Sequence, residues 1–154
     1  MRKLAWLTAI VTLSATWAPM AHVLELPNKF AMPGPLWLQV QQRLYNGWGP
    51  LIGAPTEIGG LVLCIAMAIA ARQTAGLVKL YSVAAAMFAG MLLCFFLLDD
   101  QVNKALAGAQ TLPANWTQDR LNWETGHAIA ALFSFCGLVF TTQALLRVER
   151  DSTD

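Results

Sequence analysis

Charge is what this sequence has least of. Only 12% of its 154 residues are Asp, Glu, Lys or Arg, about half the roughly 25% of an ordinary soluble domain. A chain this short exposes much surface for its volume, and so few charges cannot cover it in water. Nor does one sign prevail. Ten basic residues stand against nine acidic ones, a net charge of +1, so no basic field exists to draw in nucleic acid. Cysteine is scarce and odd in number. Cys64, Cys94 and Cys136 form no Cys-x-x-Cys pair, which removes a dithiol redox centre and leaves buried packing as their role. Gly-rich phosphate loops, nucleophile motifs, internal repeats and low-complexity runs are all missing. What remains is 56% hydrophobic residues and a mean hydropathy of +0.50. That is the composition of a polytopic membrane protein.

Four stretches carry no charged residue: 4–24, 58–71, 80–98 and 125–146. A bilayer core takes about 20 apolar residues per helix. The expected fold is therefore an all-α antiparallel bundle of four transmembrane helices, one membrane domain over 1–154. The spans fall near 4–26, 52–71, 77–98 and 124–146, with long outer loops at 27–51 and 99–123. The first stretch follows Met1-Arg2-Lys3, a fair signal-peptide start. Its apolar run is too long, however, and Pro19 follows the best cleavage site, Thr16-Trp17-Ala18, so it is expected to stay as a span. The positive-inside rule puts Arg2, Lys3, Arg72, Lys79, Arg147 and Arg150 on the cytoplasmic side of an inner membrane, with both termini. Lys29, Arg43, Lys104 and Arg120 fall outside. Within the first outer loop, Pro35 to Trp48 reads as a short interfacial helix. Its apolar face would be Leu36, Trp37, Val40, Leu44 and Trp48, lying over the bundle mouth.

Membrane helices pack through small residues. The candidate inward stripes are Thr8, Ala15 and Ala18; Gly53, Gly60, Cys64, Ala68 and Ala71; Ser82, Ala86, Gly90 and Cys94; and Ala130, Ala131, Ser134 and Thr141. On the 100° wheel, His22, Glu57 and His127 share those stripes. Glu25 and Glu124 lie three residues from a histidine and lean the same way. In the third span Asp100 falls nearer the small stripe than Asp99, which points with Phe88, Leu92 and Phe95. All six inward groups lie at the outer end, where ionisable side chains near membrane depth point to function.

Their pattern is one that chemistry uses. His22-x-x-Glu25 and Glu124-x-x-His127 each place two donors on one helix face, and Glu57 and Asp100 add lone carboxylates. Carboxylate-bridged dinuclear bundles combine two lone acids with two such pairs. His22, Glu25, Glu57, Asp100, Glu124 and His127 are thus candidate ligands for iron, copper, zinc or manganese. Arg43 and Arg120 would offset negative charge or orient a substrate. Two other readings of the same residues stay open: an unmetallated polar network that holds the bundle together, and a haem with His22 and His127 as axial ligands.

One family shares much of this pattern. His22-Val-Leu-Glu25-Leu-Pro27-Asn-Lys-Phe, Trp37, Gln41, Gly47-Trp48-Gly49-Pro50, Glu57 and Arg120-Leu-Asn-Trp123-Glu-Thr-Gly-His127 resemble small four-span bacterial membrane proteins related to fungal anthrone oxygenase. Where members of that family often carry an Arg after the last-helix His, this chain has Ala130 and Ala131. The resemblance implies a membrane-embedded, O₂-using oxidation of a hydrophobic small molecule. The rival function is that of a non-enzymatic accessory subunit, and an oligomer or partner subunit fits either reading.

Overall fold

The computed structural model describes residues 1–152. Helix accounts for 86% of it. Five helices follow one another: α1 (Arg2–Ala31), α2 (Gly34–Arg43), α3 (Gly49–Ala70), α4 (Ala75–Ala107) and α5 (Trp116–Arg150). Four of them, all but α2, are long and apolar enough to cross a membrane. The molecule is an all-α, multi-pass membrane bundle.

Around the bundle the order is α1, α5, α4, α3, and each long helix packs on two neighbours that run antiparallel to it. At the terminal end Arg2 pairs with Glu149 at 2.8 Å. Midway, the Thr12 and Thr141 hydroxyls meet at 3.1 Å. At the far end Lys29 reaches Glu124. These contacts fix the register of α1 against α5 along their whole length. A four-residue turn closed by Thr74 N–H to Ala71 C=O joins α3 to α4, as the short link between those spans requires.

Each of the four long helices outruns its expected span at one end or both. α1 continues through Pro27 to Ala31. α4 runs on past Asp99 through one π-helical turn, Phe95–Asp99, to Ala107. α5 starts eight residues early, at Trp116. A second π-helical turn, Gly49–Gly53, opens α3. Both π turns lie at the far end of the bundle, and such turns recur at functional sites.

Three of the four inward stripes are largely as expected. Thr8, Ala15, Gly60, Cys64, Ala71, Ala130, Ala131, Ser134 and Thr141 are all buried. The third is overturned. Ser82 and Ala86 face outward, and α4 buries Leu77, Tyr81, Ala84, Phe88 and Met91 instead. The cause is complementary size. Phe88 is fully buried, and its ring fills the space left by two glycines. A Cβ on Gly137 would stand 2.7 Å from it, and one on Gly60 3.5 Å. Close helix packing needs a small residue on only one side of each contact, and here α3 and α5 supply it. The same rotation corrects the acids of this helix. Asp99, in phase with Phe88, is inside and 1% exposed, whereas Asp100 turns outward and pairs with Lys104 at 2.5 Å.

The segment α2 does cover the far end. Trp37 and Leu38 join Val102, Leu106 and Trp123 in a small cap core, and Gln42 Nε2 donates to the Leu106 and Ala109 carbonyls at 2.8 and 2.9 Å. Its face is rotated from expectation. Leu36 and Leu44 are exposed, while Leu38 and Gln41 point in. The α2 helix packs on the unexpected extension of α4 rather than on lipid, which sets which side must be apolar.

Candidate functional site

Four of the six candidate ligands converge at the far end. His22 and Glu25 come from α1, and Glu124 and His127 from α5. At their centre is a residue assigned only to an outer loop, Lys29. It is 1% exposed. Its ammonium lies 2.6 Å from His22 Nδ1, 3.1 Å from Glu25 Oε2 and 3.5 Å from Glu124 Oε2. The Tyr45 and Trp123 rings flank it, their centroids 4.8 and 4.7 Å away. A lysine so deeply buried is costly unless charge and hydrogen bonds surround it, and here both do. The sequence holds the signal: Lys29 lies four residues after Glu25 and seven after His22, one helix face. Pro27 hides it by marking an apparent helix end. Because proline costs only the hydrogen bond to the carbonyl four residues back and a local clash, α1 runs through it.

Tyr45 completes the cradle. Its hydroxyl donates to Glu25 Oε2 at 2.5 Å. Burial first, and the neighbouring Glu25 second, push this phenol above its ordinary range, so it remains a donor.

Arg120 serves the same framework. Its guanidinium donates to the carbonyls of Lys29 and Met32 at 3.1 and 2.8 Å and stacks on Trp116. It therefore ties the end of α1 to α5 rather than facing a substrate. Arg43 is exposed at the end of α2 and lies off the cavity wall. Neither arginine takes the orienting position expected of it.

Beyond this cradle lies a second group. His127 Nδ1 stands 2.9 Å from the Trp123 carbonyl and 3.0 Å from Asp99 Oδ1. The carbonyl is an acceptor, so Nδ1 carries a proton, and in the neutral ring the lone pair is then on Nε2. His22 is in the opposite state. Its Nδ1 accepts from the Lys29 ammonium, which leaves the proton on Nε2. The two imidazoles meet edge to face with centroids 4.4 Å apart. Side by side they offer one N–H donor and one free acceptor. Gly126 makes this arrangement possible. A Cβ there would overlap both oxygens of the Asp99 carboxylate, so only glycine lets α4 bring Asp99 up against α5.

These groups line a cavity of about 530 Å³ between the helices and α2. His22, Glu57, Asp99, Tyr45, Trp123 and His127 are on its wall. Glu57 lies within electrostatic reach of His127 and Asp99. The volume is in the range of small-molecule sites, and an apolar wall with a few convergent polar groups is their usual form.

The donor set does not fit the six-ligand metal centre. The Lys29 ammonium occupies the place among His22, Glu25 and Glu124 where a cation would bind, and Asp100 is outside. Among the described residues no group of three or more His, Cys, Asp or Glu is arranged to hold a metal ion. Haem fits no better, since imidazoles in mutual van der Waals contact leave no room for a porphyrin between them. No protein family, curated protein or solved structure matches the chain. The reading of the site rests on its own geometry.

Proposed function

We propose that this protein binds a hydrophobic small molecule in the far-end cavity and takes a proton from it with His127. The observation that carries the proposal is the state of that histidine. Its Nδ1–H is tied back to the Trp123 carbonyl with the Asp99 carboxylate 3.0 Å away, which leaves the Nε2 lone pair of the neutral ring for the cavity. A carboxylate behind an imidazole fixes its tautomer and favours the imidazolium that forms on proton uptake. Asp99 is thus the positioning group and His127 the base. His22, donating from Nε2, would hold the oxygen from which the proton leaves. No metal step enters the proposal, because His22, Glu25 and Glu124 of the expected ligand set are bound to Lys29 and Asp100 is paired with Lys104. The Lys29 cradle alone would serve a purely structural subunit, but it gives no reason for the cavity beside it or for the His127–Asp99 pair.

The Lys and Arg bias at the terminal end supports a reading with both termini cytoplasmic, the cavity on the outer side and the chain in the inner membrane. A reporter fused after the last residue tests that assignment: cytoplasmic activity agrees with it, and activity only outside reverses it. For the chemistry, the probe is a methyl-nitrophenol, whose phenolate absorbs in the visible. Wild-type protein in nanodiscs is expected to bind it as the phenolate at a pH where the free probe is largely protonated. His127→Gln is expected to lose that band while keeping its helical circular dichroism. A band of equal height in His127→Gln would refute the proposal.

A further inference from the structure

One part of the cavity wall is also part of the lipid-facing surface. Toward the terminal end the Phe88 layer seals it. Overhead, α2 and the turn to Trp48 cover it. The α1–α5 side is filled by the Lys29 cradle. On the α3–α4 side the wall is made of Ala54, Ile58, Leu92 and Phe96, and these same residues reach the lipid-facing surface. Ile58 is 49% exposed and Phe96 60%. The opposite flank of α3 is the one that touches α1, through Gly59 against Val11. Ala54 and Ile58 therefore look away from α1, into the gap beside α4. The two π-helical turns, Gly49–Gly53 and Phe95–Asp99, sit on the two sides of this gap.

The inner wall has a different chemistry. Tyr45, Trp48 and Trp123 present ring faces and edges, with centroids 5.5 and 5.6 Å from Tyr45 to the two indoles. Such rings favour a flat aromatic guest. Above it stand one N–H donor, His22 Nε2, and one free acceptor, His127 Nε2. A hydroxyl placed between the two imidazoles would accept from the first and donate to the second.

We infer that the ligand is an amphiphile with a hydroxyaryl head and an aliphatic tail, and that it enters sideways from the bilayer between α3 and α4. The head lies among the aromatic rings with its hydroxyl on the two imidazoles. The tail leaves past Ile58 and Phe96 and stays in lipid. This inference rests on the proposed role of His127 and adds the class of ligand and its route. The lateral gap has a physical logic. A molecule that partitions strongly into the membrane is concentrated there by about 0.8 kcal/mol per buried methylene, so an opening toward water would draw on the poorer phase.

The test uses full-length protein in phosphatidylcholine nanodiscs and two probes, the methyl-nitrophenol and a dodecyl-nitrophenol. Bound phenolate is read by absorbance, with empty nanodiscs subtracted. Ala54→Trp and, separately, Ile58→Trp narrow the gap from its lipid-exposed side, where added bulk leaves the packed core untouched. Wild type is expected to bind both probes. Either variant is expected to weaken the dodecyl probe by roughly tenfold more than the methyl probe, a difference of about 1.4 kcal/mol. If both variants affect the two probes alike, or affect neither, the lateral route and the tailed ligand are overturned while the cavity reading stands. If wild type forms no His127-dependent phenolate with either probe, the proposed function fails and this inference with it.

Discussion

Replacing Gly126 by Ala adds one methyl group at the closest approach in the site. Both Asp99 carboxylate oxygens lie inside the volume that a Cβ would take, and Asp99 is 1% exposed, so it has no solvent to retreat into. Either the carboxylate turns away from His127, or α4 and α5 separate at this level. The second route disturbs a packed interface and costs about 1–3 kcal/mol, as overpacking generally does. The first gives up the 3.0 Å contact between Asp99 and His127 Nδ1, a charge-assisted interaction worth about 1.5–3 kcal/mol. Turning the side chain moves fewer atoms, so the loss should fall mainly on function. Bound nitrophenolate is then expected to weaken by about 10- to 100-fold, with a modest drop in thermal midpoint. The assay is a phenolate absorbance titration of wild type and Gly126→Ala in matched nanodiscs, with a melt followed by circular dichroism. Unchanged binding at unchanged midpoint would refute the reasoning, because it would mean that Asp99 is not held against His127 through this glycine.

Other outcomes follow from the same geometry. Asp99→Asn should lose phenolate binding, whereas Asp100→Asn should retain it with a stability change within about 0.5 kcal/mol, as spectra of the two purified variants would show; equal effects would reverse the assignment of the inward acid. Lys29→Met should destabilise the fold by about 3–5 kcal/mol, because it leaves the buried Glu124 carboxylate without its cation, and a denaturant series in detergent reads this directly. Tyr45 has its phenol pushed above the ordinary range by burial and by Glu25. A raised value means that the folded state favours the neutral form, so this contribution to stability is present below about pH 10 and is lost as the pH climbs beyond it. Tyr45→Phe should therefore flatten the alkaline limb of a stability-against-pH curve, and an unaltered limb would contradict the burial of that group.

The spans and the meeting of His22, Glu25, Glu124 and His127 were legible because both come from periodicity. Charge-free runs mark the helices, and residues three or four apart share a face whatever they pack against. The α4 face was not legible. The small-residue rule chose Ser82, Ala86 and Gly90, but packing depends on pairs of residues from two helices. Phe88 goes inside because Gly60 and Gly137, distant in sequence, make room for it. That pairing also moved the inward acid from Asp100 to Asp99. Lys29 was missed for a local reason, since Pro27 reads as a stop although α1 passes through it. Once the lysine is placed, the meaning of the cluster changes. The same carboxylates and imidazole that looked like ligands for a metal are the neighbours of an ammonium group.

The central claim is the opposite state of the two histidines, and nitrogen-15 NMR of the imidazoles measures it directly. The chain has only two histidines, so a His22→Gln sample assigns both signals. In the ligand-free protein, His127 should show the neutral form with its proton on Nδ1, and His22 the neutral form with its proton on Nε2. On adding the nitrophenol, His127 should convert to the imidazolium while His22 keeps its form. A His127 that carries its proton on Nε2, or stays neutral when the phenolate band appears, would contradict the account.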